Sequence, residues 1–150
     1  MIQSVLTPML EMNIAKVNGV LAKMTAENSG FHIHKAAGSA GFYMRHIAEA
    51  QILIPQMFFG TTTGLSYGKP FTLRVPNDDG RVYDLAETQQ MIKTGQEILA
   101  NVLKTFPEAD WHKPKTTVFG ERTPLQGFAL ILNHNAHHCG QIELTIKKGA

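Results

Sequence analysis

The sequence predicts an all-α protein, a four-helix bundle with a long crossover connection between helices two and three. Three observations predict it. The 150 residues carry 43% hydrophobic and 17% charged side chains, enough apolar material for one compact domain with its own core. Four segments of about 20 residues repeat apolar side chains at three- and four-residue steps, the period of one helical face. Helix entry signals stand at the start of three of those segments.

The first periodic segment, Thr7 to Ala26, opens with Thr7-Pro8, a hydroxyl cap before the one helical position where proline is tolerated. Leu6, Leu10, Asn13, Val17, Leu21 and Met24 then form its stripe. The second, Ala36 to Phe59, places Ser39, Phe42, Tyr43, His46, Ala50, Leu53 and Met57 on a common face, with Pro55 expected to bend or loosen its end. The third begins at Asp84, whose spacing to Glu87 resembles a capping box. It runs through Leu85, Gln89, Ile92, Gln96, Leu99, Leu103 and Phe106 to a stop at Pro107. The fourth repeats the Thr-Pro entry at Thr123-Pro124 and reaches about Lys148, with basic residues where the helix dipole favours them.

Two connections are long. Residues Gly60 to Tyr83 are rich in Gly, Thr and Pro, and within them Phe71 to Val75 and Arg81 to Tyr83 are placed to pair as a small hairpin. Such a length lets helices two and three run parallel. Pro107 to Arg122 holds the only tryptophan, Trp111, and either connection is placed to cover one end of the bundle as a lid.

Composition excludes several function classes. The net charge is +2, from 14 basic and 12 acidic side chains scattered along the chain, so the basic face of a nucleic-acid binder is missing. The longest apolar stretch, Ile52 to Phe59, is far short of the roughly 18 residues of a membrane span, and no signal peptide is evident. A cytoplasmic protein is expected, in keeping with its single cysteine.

The chemistry concentrates in Asn133-His134-Asn135-Ala136-His137-His138-Cys139-Gly140-Gln141. On a helix, His134, His138, Gln141 and Thr145 share one inward face, and the two histidines lie about 6 Å apart along the axis, a separation from which two ring nitrogens converge on one divalent ion. The pair alone says little, because this spacing recurs by chance and buried histidines commonly make ordinary hydrogen bonds. His46 alters the balance. It stands mid-way along the inward stripe of helix two, and bundles build metal sites between facing helices. His46, His134 and His138 are therefore the expected metal ligands, an open set of the kind that leaves a divalent ion a position for water or substrate.

Glu49, one turn after His46, is the nearest carboxylate by helical spacing and is read either as an acceptor or proton carrier beside the ligands or as an interhelical ion pair. Gln141 is placed to orient a ligand ring, or to bond a neighbouring helix. His137 falls on the flank of helix four, Cys139 reads as a small buried residue, and His32, His34 and His112 lie in connections. Asn13, Gln89 and Gln96 interrupt apolar stripes, as a polar cavity wall or as structural amides. A His-Glu-x-x-His motif, a phosphate-binding glycine loop and a nucleophile elbow are all absent from the sequence.

Three motifs together resemble one family. Gly41-Phe42-Tyr43-Met44-Arg45-His46-Ile47-Ala48-Glu49, Phe119-Gly120 followed by Thr123-Pro124, and His134-x-x-x-His138-x-Gly140-Gln141 are similar to the DinB-like (YfiT-like) superfamily of metal-dependent proteins. The chain departs from it at Cys139, where many members carry arginine. The resemblance implies a four-helix bundle in which His46, His134 and His138 bind one divalent ion, often nickel or zinc, and it implies a homodimer. Characterised members include low-molecular-weight-thiol transferases and a thiol-dependent isomerase. On that basis the expected function is activation of a small thiol or water for transfer or hydrolysis, on a small-molecule substrate. The alternative is a noncatalytic metal- or small-ligand-binding bundle.

Overall fold

The computed structural model describes residues 1–62, 72, 78 and 80–150. Among them the chain forms four long helices, α1 (Ile2–Leu21), α2 (Ala40–Phe59), α3 (Leu85–Thr105) and α4 (Pro124–Lys148), and one two-stranded antiparallel sheet, β1 (Lys115–Thr117) and β2 (Gly120–Arg122). Helices α1 and α2 each pack against both α3 and α4.

Helix α1 starts five residues earlier than the sequence predicts and ends at Leu21 rather than Ala26. Thr7 is not its cap, and Pro8 lies inside it. An interior proline removes one helical hydrogen bond and costs about 3 kcal/mol or more. Against that cost, Leu6 and Leu10 are buried in the core, and the Ile2 amide donates to Glu108 Oε1 at 2.8 Å. A contact with a residue more than a hundred positions away thus sets where α1 begins. The Thr7 hydroxyl, instead of capping, donates back to the Gln3 carbonyl.

Helix α2 starts at Ala40 rather than Ala36, because Ser39 is its cap and accepts from the Phe42 amide at 3.1 Å. Ser39 therefore leaves the inward stripe to which its spacing had assigned it. The helix continues past Pro55 to Phe59 and ends on Gly60 in the left-handed conformation (φ 67°), which glycine adopts without steric cost. Asp84 caps α3 by accepting from the Ala86 and Glu87 amides, while the Glu87 carboxylate accepts from Arg45 on α2 at 2.7 Å. The buried line of α3 runs through Thr88, Met91, Ile92, Gly95, Leu99, Val102 and Leu103. It is rotated from the predicted stripe: Gln89 is exposed and Gln96 is at the edge. Thr123 caps α4 in a complete capping box with Gln126, with Pro124 in the first turn.

Two glycines set how closely α2 is approached. A Cβ on Gly95 of α3 would meet the Gln51 Cβ at 2.5 Å, and one on Gly127 of α4 would meet the Phe58 ring at 2.4 Å. The core has two halves. Around the C-terminal end of α2, Phe58, Phe128 and Trp111 are buried with Leu6, Leu10, Leu99 and Ile131, and Phe106 packs edge-on and Phe59 tilted against the indole. Along the earlier turns of α2, Met44, Ile47 and Ile52 pack with Val17, Val20, Met91, Ile92 and Ile142.

The connection 107–122, expected to cover one end, does so at the Trp111 end and contributes the β1–β2 hairpin, which pairs Lys115 with Arg122 and Thr117 with Gly120. Lys115 Nζ donates to the Phe58 carbonyl at the end of α2 at 2.7 Å. The hairpin expected between Phe71–Val75 and Arg81–Tyr83 falls largely outside the described residues. So does the path of the 60–83 connection. No helix among the described residues is long and apolar enough to cross a membrane.

Candidate metal centre

The three predicted histidines meet between α2 and α4. His46 comes from the second turn of α2, and His134 and His138 from successive turns of α4. Ring centroids are separated by 4.8 Å for His46 and His134, 4.8 Å for His46 and His138, and 4.4 Å for His134 and His138. One nitrogen from each ring lies within 4.8 Å of the others, a grouping able to hold one metal ion. Among the described residues it is the one such cluster of histidine, cysteine and carboxylate side chains.

The electrostatics suit ligation. Burial pushes the pKa of His134 down to about 3 and that of His138 to about 4, and the neighbouring rings push the same way. Burial also lowers His46, opposed by the Glu49 charge and the Thr72 backbone. All three rings are therefore neutral at pH 7, the protonation state in which imidazole donates a lone pair to a metal. The Nδ1 atoms of His46 and His134 are buried with no hydrogen-bond partner. Polar atoms so placed call for a partner, and neutral imidazoles, each keeping a lone pair on one ring nitrogen, fit a divalent ion bound by this cluster.

Gln141 stands where its spacing put it. Its Oε1 lies 2.6 Å from His138 Nδ1. A carbonyl oxygen can only accept, so Nδ1 carries the proton and Nε2 holds the lone pair. Aromatic rings brace the cluster: Tyr43 stacks on His138 at 5.5 Å, and Phe42 lies parallel to His46 at 6.2 Å. The Tyr43 hydroxyl in turn accepts from the Gly38 amide.

Glu49 is buried beside His46 but fully engaged. Its Oε1 accepts from Arg45 Nε at 3.1 Å and its Oε2 from the Thr72 amide and hydroxyl at 2.9 and 2.6 Å. The ion pair lies within α2, and Arg45 extends it to Glu87 of α3. His137 is exposed on the flank of α4, as its spacing indicates. Cys139 is fully buried, and burial raises its thiol pKa to about 11. His32 and His34 bond backbone groups of their own loop, and His112 lines a shallow groove beside the start of α1. Of the polar residues read as a cavity wall, Gln89 and Gln96 line a groove of about 410 Å³ between α1 and α3 that includes no triad residue.

Asn13 is different, because it pairs with Asn135 beside the triad. Asn135 went unrecognised in the sequence, although a signal was present. Asn135, Cys139 and Ile142 form a fully buried line on α4, in which one amide interrupts small and apolar residues.

With this geometry in place, comparison with known families is decisive. A model of the DinB superfamily matches residues 9–142. The chain belongs to the DinB superfamily. The match reaches into all four helices and includes all three histidines of the cluster. No curated protein matches this DinB-superfamily chain.

Proposed function

We propose that this DinB-superfamily chain is a divalent-metal-dependent enzyme in which His46, His134 and His138 hold one ion, nickel or zinc, at an open site. The observation that carries the reading is the convergence of three neutral imidazoles, one nitrogen of each within 4.8 Å of the others. An ion held there would lower the pKa of a small thiol or of water, supplying an anionic nucleophile at neutral pH for transfer to, or hydrolysis of, a small-molecule substrate. The chain's own residues prepare the site. Gln141 sets the tautomer of His138, and Phe42 and Tyr43 pack on the rings and restrict their motion. Glu49, tied to Arg45 and Thr72, positions the backbone beside His46 rather than carrying protons.

Metal analysis of purified variants tests the site. His46→Ala, His134→Ala and His138→Ala are each expected to lose most of the bound metal, and His137→Ala to retain it. Wild-type metal content in any of the first three overturns the assignment. For the activity, metal-loaded protein is expected to accelerate thiol conjugation or hydrolysis across a substrate panel. Equal rates for the loaded and metal-free forms remove the enzymatic reading.

The engagement of Glu49 favours one alternative, a noncatalytic metal- or small-ligand-binding bundle, because it withdraws the nearest carboxylate from proton transfer. Solvent-proton relaxation on protein loaded with a paramagnetic ion separates the two. An exchangeable water on the ion supports the enzyme, and a closed shell supports the binding protein.

A further inference from the structure

Among the buried polar atoms at the triad, Nδ1 of His134 and Oδ1 of Asn135 have no hydrogen-bond partner. They belong to consecutive residues of α4, and the polarity of the groups leading to them is forced from one end. The Leu132 carbonyl can only accept, so the Asn13 group facing it is the amide nitrogen, donating at 2.8 Å. Asn13 therefore turns its Oδ1 to Asn135, whose Nδ2 donates to it at 2.8 Å. With its nitrogen spent across the α1–α4 interface, Asn135 is left with a carbonyl oxygen in need of a donor. Its side chain is completely buried, and the unpartnered ring nitrogen of the adjacent residue, His134, is the group in need of an acceptor.

We propose that Asn13 and Asn135 are positioning residues that decide which nitrogen of His134 carries the proton. Asn135 Oδ1 accepts from Nδ1–H, and Nε2 is left with the lone pair for a metal ion. The inference rests on the three-histidine reading above for its purpose, but the tautomer itself is a property of the metal-free chain. It gives His134 the arrangement that Gln141 gives His138, so both α4 ligands present the same nitrogen. Partners of this kind, one step removed from the ion, typically alter metal affinity 10–100-fold.

The test uses the whole chain with its histidines labelled in ¹⁵N, and reads the His134 tautomer from long-range ¹H–¹⁵N spectra without metal. Zn²⁺ affinity is measured separately by competition with a chromophoric chelator. Wild type is expected to hold His134 in the Nδ1–H form. Asn135→Leu is expected to shift that ring toward the other tautomer and to weaken Zn²⁺ binding about 10–100-fold, whereas Asn135→Asp, which keeps the acceptor, preserves the Nδ1–H form. Should Asn135→Leu fail to fold, Asn13→Ser severs the same chain of hydrogen bonds from α1.

An Nε2–H tautomer in wild type, or a tautomer that Asn135→Leu and Asn13→Ser leave unmoved, overturns the proposal. Zn²⁺ binding that is lost in His134→Ala but unchanged in Asn135→Leu overturns it too, while leaving the metal centre standing. Wild type with the expected tautomer, dependent on Asn135, but with no Zn²⁺ binding supports the positioning role and overturns the three-histidine reading instead.

Discussion

Cys139 shows how much a neighbourhood decides at the scale of one residue. It follows a proposed ligand, yet it faces the apolar line of Val17, Ile47 and Ile142 rather than the rings. Its thiol is fully buried and its pKa is raised to about 11, and a thiol held protonated is a poor nucleophile. In the folded protein at pH 8, Cys139 is expected to react with iodoacetamide at least ~100-fold more slowly than in denaturant, as opening must precede attack. Mass spectrometry of timed samples measures this, and rapid stoichiometric labelling of the native protein would contradict it. His46, His134 and His138 were legible in the sequence because helical spacing alone places them inward. Asn135 was not, because its importance lies in the atom of Asn13 that faces it across the bundle.

At the scale of elements, the same Thr-Pro signal succeeded once and failed once. Thr123-Pro124 opens α4 because the Gln126 side chain completes the capping box locally. Thr7-Pro8 does not open α1, because the Ile2 amide finds Glu108 and Leu6 finds the core, so the helix extends upstream. Glycines separate in the same way. Gly127 and Gly140 both lie in α4, but a Cβ on the first would press into the Phe58 ring while one on the second meets nothing within 4 Å. Gly127→Ala is therefore expected to destabilise the fold by about 1–3 kcal/mol through overpacking. Gly140→Ala is expected to stabilise it by about 0.5–1 kcal/mol through helix propensity. Urea unfolding of both variants measures the contrast, and equal midpoints would show that α2 and α4 are not in close contact at Phe58.

For the whole molecule, the triad makes stability depend on pH. Because His134 and His138 titrate near 3 and 4 in the folded chain and near 6.5 when unfolded, the unfolded chain binds more protons below pH 6.5. The associated stability is complete above pH 6.5 and is lost as pH falls toward 4 and then 3. The melting temperature of the metal-free protein is expected to drop between pH 7 and 5. His134→Ala/His138→Ala is expected to flatten that dependence in the same thermal scans, and an unchanged slope in the double variant would refute the assignment. By itself the sequence determined the four helices and the identity of the three converging imidazoles, since helical period and side-chain chemistry are local properties. Only the tertiary structure decided where α1 begins, which atoms Glu49 binds and how Asn13 and Asn135 join. These depend on backbone and side-chain groups distant in sequence, whose hydrogen-bonding needs are met only once the helices pack.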